Sequence, residues 1–334
     1  MACPSTRRDI GAMTKIISSS YVQSALQTLL FSNDTLQKTQ ERTTSGLKVG
    51  SAADNAGYWS VATNLKSEGS VLSSVGDALN LGASKADTAY EGVNSMIDIV
   101  DQIMTQLTTA YESGTDRDSI NKSITALKSN LVSVAQAASF SGDNWLYNTS
   151  DQLAENRSIP YSYKKGADGG VTLQSLTVPT AETTMVDTSD ASRGLLTKTI
   201  DASALNPDGT STGSREYYLV DVDAASGTTG QEISISNDTT QEELDDMVAV
   251  VGEISSRLNQ LGSSLGTMSN RIDQQTTFVG ALNKSLDTSV SRLVDANMEE
   301  ESTKLTAYKT QRDLAVEVVS MANSHRKSLA NLFA

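Results

Sequence analysis

Residues 239–286 read TTQEELDDMVAVVGEISSRLNQLGSSLGTMSNRIDQQTTFVGALNKSL. Within them Met247, Val251, Ile254, Leu258, Leu261, Leu265, Met268, Ile272, Gln275, Val279, Leu282 and Leu286 alternate by four and three, and all but Gln275 are apolar. A stripe this narrow obliges its helix to lie against other long helices. Thr239-x-x-Glu242 supplies a capping box at its start. The stretch holds no proline, the residue that costs a helix interior about 3 kcal/mol. That absence extends far beyond it. The four prolines, Pro4, Pro160, Pro179 and Pro207, leave 5–159 and 208–334 without any. Two long helical arms around a different kind of middle are therefore expected.

The first arm carries the matching pattern. Val22, Ala25, Leu26, Leu29, Leu30 and Leu36 line one face of a segment over about 19–43, and Ser45–Gly50 leaves the helix. Beyond Asp54, the series Tyr58, Val61, Leu65, Leu72, Val75, Leu79, Ala86, Val93, Ile97, Val100, Met104, Leu107, Tyr111 predicts a helix over about 55–112. At 1.5 Å per residue it would reach roughly 85 Å. Ser113-Gly114 ends it, and Thr115-x-x-Asp118 resembles a capping box for a further helix bearing Ile120, Ile124, Leu127, Leu131 and Val134. The expected core of the paired arms is Leu72, Val75, Leu79, Val93, Ile97, Val100 and Leu107 against Ile254, Leu258, Leu261, Leu265, Ile272, Leu282 and Leu286.

The middle differs in kind. Ser, Thr and Gly fill 32 of the 87 positions in 150–236, and three of the four prolines fall there. The runs Val171–Val178, Glu216–Val222 and Glu232–Ser236, parted by Gly/Asp/Ser turns, predict a small β domain. A last helical segment, about 292–332, carries Leu293, Leu305, Ala315, Val318, Val319, Ala322, Leu329, Leu332 and Phe333 on a weaker stripe that Glu299-Glu300-Glu301 interrupts. An isolated helix of that quality is marginal in water, so both chain ends are expected to need a partner.

Composition narrows the function. A net charge of −14 lacks the basic stripe that a general nucleic-acid binder needs. No run of about 18 apolar residues exists, so no membrane insertion is expected. The first residues lack the apolar core of a general secretory signal, and 1–12 read as an extension distinct from the pattern that opens at Met13. Cys3 is the single cysteine and His325 the single histidine, which together build neither a triad nor a metal site. No catalytic, cofactor or metal site is expected. Glu299–Glu301 reads as a solvated face or an inter-subunit row of ion pairs. Trp59 and Trp145 read as packing residues of the helical part, with contact to a neighbouring subunit as the other reading.

The motifs at both ends match a family. Ser45-Gly46-Leu47-Lys48-Val49 followed by Ser51-Ala52-Ala53-Asp54-Asn55-Ala56 resembles the signature that closes the first terminal helix of bacterial flagellins, of alphaproteobacterial type. Ala138–Leu146 (ASFSGDNWL) looks like the motif where their N-terminal helices turn into the β region. Val294–Leu305 (VDANMEEESTKL) and the closing Met321-Ala322-Asn323, Leu329, Leu332 and Phe333 are similar to the C-terminal signature. The resemblance covers about 13–148 and 240–334. It implies a mainly α fold with a β-rich central insertion: an elongated coiled-coil-like rod built from both termini, plus a small outer β domain. The inner domain would join 13–50 to 292–334, the rod domain 51–150 to 238–291, and 151–237 would face solvent.

The implied function is the structural subunit that polymerises into the flagellar filament outside the cell, with the hook–filament junction protein as the nearest alternative and a non-filamentous helical signalling or adhesin-like module as a remoter one. Implied partners are further copies of the chain, paralogous flagellins, the flagellar export apparatus, an export chaperone, and cap and junction proteins. Expected subunit-interface residues are Val22, Leu26, Leu29, Leu30, Leu47, Asp54 and Asn55 at one end, and Leu305, Val318, Val319, Ala322, Leu329, Leu332 and Phe333 at the other.

Overall fold

The computed structural model describes residues 8–166, 171–206, 215–224, 226–227 and 229–332. In chain order the helices are α1 (Arg8–Ser45), α2 (Ala56–Thr109), α3 (Arg117–Ala137), the single turn α4 (Thr180–Thr183), α5 (Gln241–Val294) and α6 (Met298–Leu332). Among the described residues nine strands lie between α3 and α5: β1 (Ser139–Phe140), β2 (Asp143–Asn144), β3 (Tyr147–Asn148), β4 (Arg157–Lys165), β5 (Val171–Val178), β6 (Val186–Asp187), β7 (Ile200–Asp201), β8 (Glu216–Tyr218) and β9 (Gln231–Glu232). The chain divides into two compact units, one from Met1–Gly69 with Lys284–Ala334, the other Ser70–Asn283.

In the second unit, α2 and α5 run antiparallel in one register. Asp101 accepts from the Ser255 hydroxyl at 3.4 Å and Asp87 from that of Ser269 at 2.6 Å. Gly262 lies beside Val93 and Asn94, Gly266 beside Tyr90, and Gly76 beside Val279. Each step along α2 is thus matched by an equal step back along α5. In this unit α2 and its end bury Gly92 beside a seam of Leu72, Val75, Leu79, Gly82, Ala86, Ala89, Val93, Met96, Val100, Ile103, Leu107 and Ala110. Their spacing alternates strictly by three and four, the repeat that supercoils helices left-handedly. Met96, Ile103 and Ala110 occupy the seam where the sequence pattern pointed to Ile97, Met104 and Tyr111, which are half-buried.

On α5, every seventh residue is buried from Leu244 through Val251, Leu258, Leu265, Ile272 and Val279. The alternate position grades along the helix: Met247 and Ile254 are buried, Leu261 and Met268 half-buried, and Leu282 is 37% exposed. Leu282 is therefore not a core residue, and Leu286 is only half-buried. The length of α3 explains the gradient. It starts beside the start of α5, where the Arg117 guanidinium donates to the Thr239 carbonyl at 2.6 Å. With 21 residues and the same rise, α3 ends near the level of Leu261.

Two helix starts lie one residue beyond their expected caps. Asp116, rather than Thr115, accepts from the Ser119 amide to cap α3. At α5 the reciprocal box is Thr240 with Glu243: the Thr240 amide donates to the Glu243 carboxylate at 2.8 Å, and the Glu243 amide to the Thr240 hydroxyl at 3.2 Å.

The β region belongs to the same compact unit as these helices. Strands β1 and β2 are joined by Ser141 and Gly142, both at positive φ, the two-residue turn that suits a twisted hairpin. Strands β4 and β5 form the longest hairpin, with a bulge between Pro160 and Ser162. Strand β3 pairs parallel to β6, and β8 lies between antiparallel β7 and parallel β9. Charged side chains tie these small sheets to the helices. Buried Lys128 of α3 bonds the Glu232 carboxylate at 2.8 Å and the Ile233 carbonyl. Asp246 of α5, fully buried, receives two bonds from Arg215 at 2.7 and 2.8 Å and one from Asn206 at 3.1 Å. Asp143 takes Lys85 at 2.9 Å and Arg157 at 3.1 Å.

Packing is close where the β region meets α2. A Cβ at Gly92 would stand 2.7 Å from a Leu146 methyl and 2.9 Å from the Ala138 methyl, which cannot rotate away. A Cβ at Gly280 would meet nothing within 4 Å. Helix propensity favours alanine at both sites by about 0.5–1 kcal/mol, whereas overpacking costs about 1–3 kcal/mol. Gly92→Ala should therefore lower the urea midpoint of the monomer and Gly280→Ala should raise it. Equal shifts for the two would contradict this packing.

Candidate functional site

The two terminal signatures meet in the unit formed by the chain ends. Helix α1 stops at Gly46, whose φ of 73° is the left-handed conformation that glycine adopts freely, and its amide donates to the Arg42 carbonyl at 2.9 Å. The chain then runs as an extended clip along the end of α5. The amides of Lys48 and Val49 donate to the Val294 carbonyl at 2.7 and 3.2 Å, and the Ala296 amide to the Gly46 carbonyl at 2.8 Å. Lys48 Nζ reaches the Arg292 carbonyl at 2.8 Å. Beneath the clip Val49, Ala62, Val290 and Val294 form a buried cluster, with Leu47, Leu65 and Leu293 packed against it.

Leu47 is therefore engaged within its own chain. Asp54 is likewise occupied: one carboxylate oxygen accepts from the Gly50 amide at 3.1 Å, the Ser51 amide at 2.9 Å and the Ser51 hydroxyl at 3.0 Å. The bonds from Ser51, then that from Gly50, hold its carboxyl below the usual aspartate range. Asn55 caps α2 by accepting from the Tyr58 amide at 3.1 Å. Both side chains stay exposed, so a second contact is open to them.

The last segment is not one helix from 292. Leu293 still belongs to α5, which ends at Val294, Asp295–Asn297 breaks the run, and Asn297 accepts from the Glu299 amide at 3.2 Å to start α6. The acidic triplet falls in the first turn of α6, where negative charge opposes the helix dipole favourably. Its members differ. Glu300 is exposed and paired with Lys304 at 2.8 Å, a hydrogen bond that lowers its carboxyl pKa. Glu301 is 5% exposed, not on a solvated face.

Helix α1 packs along α6. Their mutual seam is poor in apolar side chains: among the described residues of the two helices, only Leu36 and Ala315 are buried apolar ones, beside Ser32, Thr39 and Glu301. The Thr39 hydroxyl is satisfied by the Thr35 carbonyl at 2.9 Å. The large apolar residues point outward instead. On α1, Leu26, Leu30 (61%) and Phe31 (72%) are exposed; on α6, Met298, Leu314, Val316, Val318 and Met321 are. Leu29, Leu305, Val319 and Ala322 are half-buried. The side chains of Val22, Leu329 and Leu332, and Phe333 entirely, lie outside the described residues. Sequence reasoning passed over Phe31 and Leu314 and named Met321 only as part of the closing signature, although each is a large apolar residue off the packed stripe.

The two tryptophans differ. Trp145 is 3% exposed, buried with Leu146 beside Gly92, whereas Trp59 is 40% exposed and is no core residue.

No helix among the described residues is long and apolar enough to cross a membrane, and no group of three or more His, Cys, Asp or Glu among them is arranged to hold a metal ion.

Comparison with known proteins accords with this layout. Residues 17–151 match the family described as bacterial flagellin N-terminal helical region, and residues 248–333 match the bacterial flagellin C-terminal helical region. The chain is 45% identical to Flagellin C of Rhizobium meliloti (strain 1021) over 322 residues, covering 96% of this chain and 99% of that protein. It is 33% identical to Flagellin A of the same strain, covering 96% and 100%. It is also 33% identical to a flagellin of Brucella melitensis biotype 1, covering 96% and 99%. The clip joins the two matched regions through backbone bonds between Lys48, Val49 and Val294. The chain belongs to the bacterial flagellins, the structural subunits of the extracellular flagellar filament.

Proposed function

We propose that this subunit enters the filament by burying the outward faces of α1 and α6 against neighbouring copies. The observation that carries the reading is the inverted distribution of apolar side chains on those helices, with two buried and eight large ones exposed among the described residues. Covering a Leu or Phe side chain fully is worth about 1.5–3 kcal/mol, so a repeated contact over this surface outweighs the thin seam of the pair. A head-to-tail contact between identical subunits that does not close on itself generates a helical filament.

The interface residues on this reading are Leu26, Leu29, Leu30, Val318, Val319 and Ala322, joined by Phe31, Leu314 and Met321. Val22, Leu329, Leu332 and Phe333 extend the same two stripes in sequence. As assembly roles, 13–50 with 292–334 forms the inner part, 51–150 with 238–291 the rod, and 151–237 the surface region. Sharing of the filament with paralogues is supported by the presence of both Flagellin A and Flagellin C in one strain of Rhizobium meliloti. Passage through the flagellar export apparatus, with an export chaperone and cap and junction proteins as partners, rests on family membership alone.

Deleting residues 300–334 should abolish polymerisation while leaving 51–291 largely helical by circular dichroism. Filaments of the truncated chain under the electron microscope would refute the assignment. In the full-length chain, the helical signal per residue should rise when monomers polymerise, since the terminal helices gain most of their apolar packing then. A signal unchanged across assembly would count against that coupling.

A further inference from the structure

The methionines of this chain are sorted by exposure. Among the described residues Met96, Met185 and Met247 are buried and Met104 and Met268 half-buried, all five in the unit Ser70–Asn283. Met298 and Met321 stand exposed, and both belong to α6. Met1 and Cys3, and the side chain of Met13, lie outside the described residues. The two exposed thioethers differ in setting. Met321 follows Leu314 and Val318 by steps of four and three, so the three line one stripe turned away from buried Ala315. They are 57%, 48% and 57% exposed in the order Leu314, Val318, Met321, on the face assigned above to contact between copies. Met298 opens α6 and lies about 160° around the helix from Leu314, off that stripe. An exposed thioether is an apolar side chain that a mild oxidant turns polar.

We propose that Met321 is an oxidation site that controls the subunit's competence to assemble: a hydroperoxide modifies it in the free chain, and a neighbouring copy shields it in the filament. This deepens the assembly reading above and rests on it. The Met321 Sδ attacks the outer peroxide oxygen, and the O–O bond breaks as an S–O bond forms. The departing hydroxide or alkoxide takes the proton from the oxygen now on sulfur. Sulfur is oxidised by two electrons to the sulfoxide, and the peroxide is reduced to water or an alcohol. The new oxygen is a hydrogen-bond acceptor beside Leu314 and Val318, whose side chains offer no donor. Burying it against an apolar surface leaves it unpaired, so the modified stripe resists the contact that the unmodified one favours. Methionine sulfoxide reductases reverse the change.

Full-length monomer treated with hydrogen peroxide should gain one oxygen at Met298 and at Met321 before Met96, Met185 or Met247 reacts, read by peptide mass spectrometry. The oxidised chain, checked for retained helicity by circular dichroism, should polymerise only above a critical concentration raised about tenfold or more. A methionine sulfoxide reductase should restore the original value. Met321→Leu, whatever its own critical concentration, should show the same value before and after peroxide, whereas Met298→Leu should remain as sensitive as the wild type. In preformed wild-type filaments, oxidation of Met321 should be several-fold slower than in the monomer. An unchanged critical concentration for wild type carrying the Met321 sulfoxide would overturn the proposal. So would equal loss of assembly in peroxide-treated Met321→Leu, or equal oxidation rates at Met321 in monomer and filament. If Met321→Leu does not assemble at all, the two rates in the wild type decide. Failure of the untreated wild type to form filaments is a different result: it removes the assembly reading, and this one with it.

Discussion

One constraint organises the larger unit: α2 and α5 must meet in a single antiparallel register. Ser255 and Ser269 find Asp101 and Asp87, and Gly76 finds Val279, at positions that march in equal and opposite steps. A slip of one residue would turn each buried stripe about 100° away from its partner. A slip of a full heptad would restore the apolar match but would lose both Ser–Asp pairs and the small-residue contacts. Closing the long connection between the two helices adds only a logarithmic entropy cost, so one well-specified register can hold ends that are far apart in sequence.

The β region depends on that pair rather than standing beside it. Most of its strands are two or three residues long, too short to be stable alone. Their anchors are on helices: Glu232 and Ile233 on Lys128, Arg215 and Asn206 on Asp246, Ile159 against Gly82, Leu146 against Gly92. Burial of Lys128 pushes its ammonium pKa down, with Glu232 opposing the shift. Removing Arg215 from the buried Arg215–Asp246 pair would leave a desolvated charge and cost several kcal/mol, about 3–5 in measured cases. These pairs act as locators of short strands more than as net sources of stability.

The helices were legible because their signals are periodic and local. The seam from Leu72 to Leu107 could be traced by apolar side chains, yet the trace drifted by one residue to Ile97, Met104 and Tyr111. The reason is visible at Gly82 and Ala89, small residues that hold seam positions without announcing them. Leu282 misled in the opposite way. It keeps the heptad in sequence, but beyond the reach of α3 the second position of the repeat is covered less and less, from half-buried Met268 to exposed Leu282. The caps at Asp116 and Thr240 lay one residue from their sequence match because neighbouring Thr, Asp and Glu residues offered several equivalent boxes. Among the strands, Val171–Val178 stood out by composition. The runs Glu216–Val222 and Glu232–Ser236 pointed to β8 and β9 but not to their parallel pairing, and the pair β3–β6 could not be read, since it joins two-residue strands far apart in sequence.

The functional surface was half legible, and the missing half follows from the same physics. A sequence stripe shows which residues could pack together, but not which of two faces is used within the chain. On α1 and α6 the face used internally is the poorer one: Ser32, Leu36, Thr39, Ala315 and Glu301 are buried, while Leu30, Phe31, Leu314 and Met321 face out. For an autonomous domain that arrangement would waste the strongest contribution to folding, because most helical stability comes from packing an apolar face. For a subunit it sets the order of events. Hydrogen bonds of the clip and a small cluster around Val49 and Val294 fix where the two ends meet, and neither needs a neighbour. On the proposed assembly the larger apolar gain would come at the contact between copies. The monomer's ends would thereby be positioned before assembly but stabilised mainly by it.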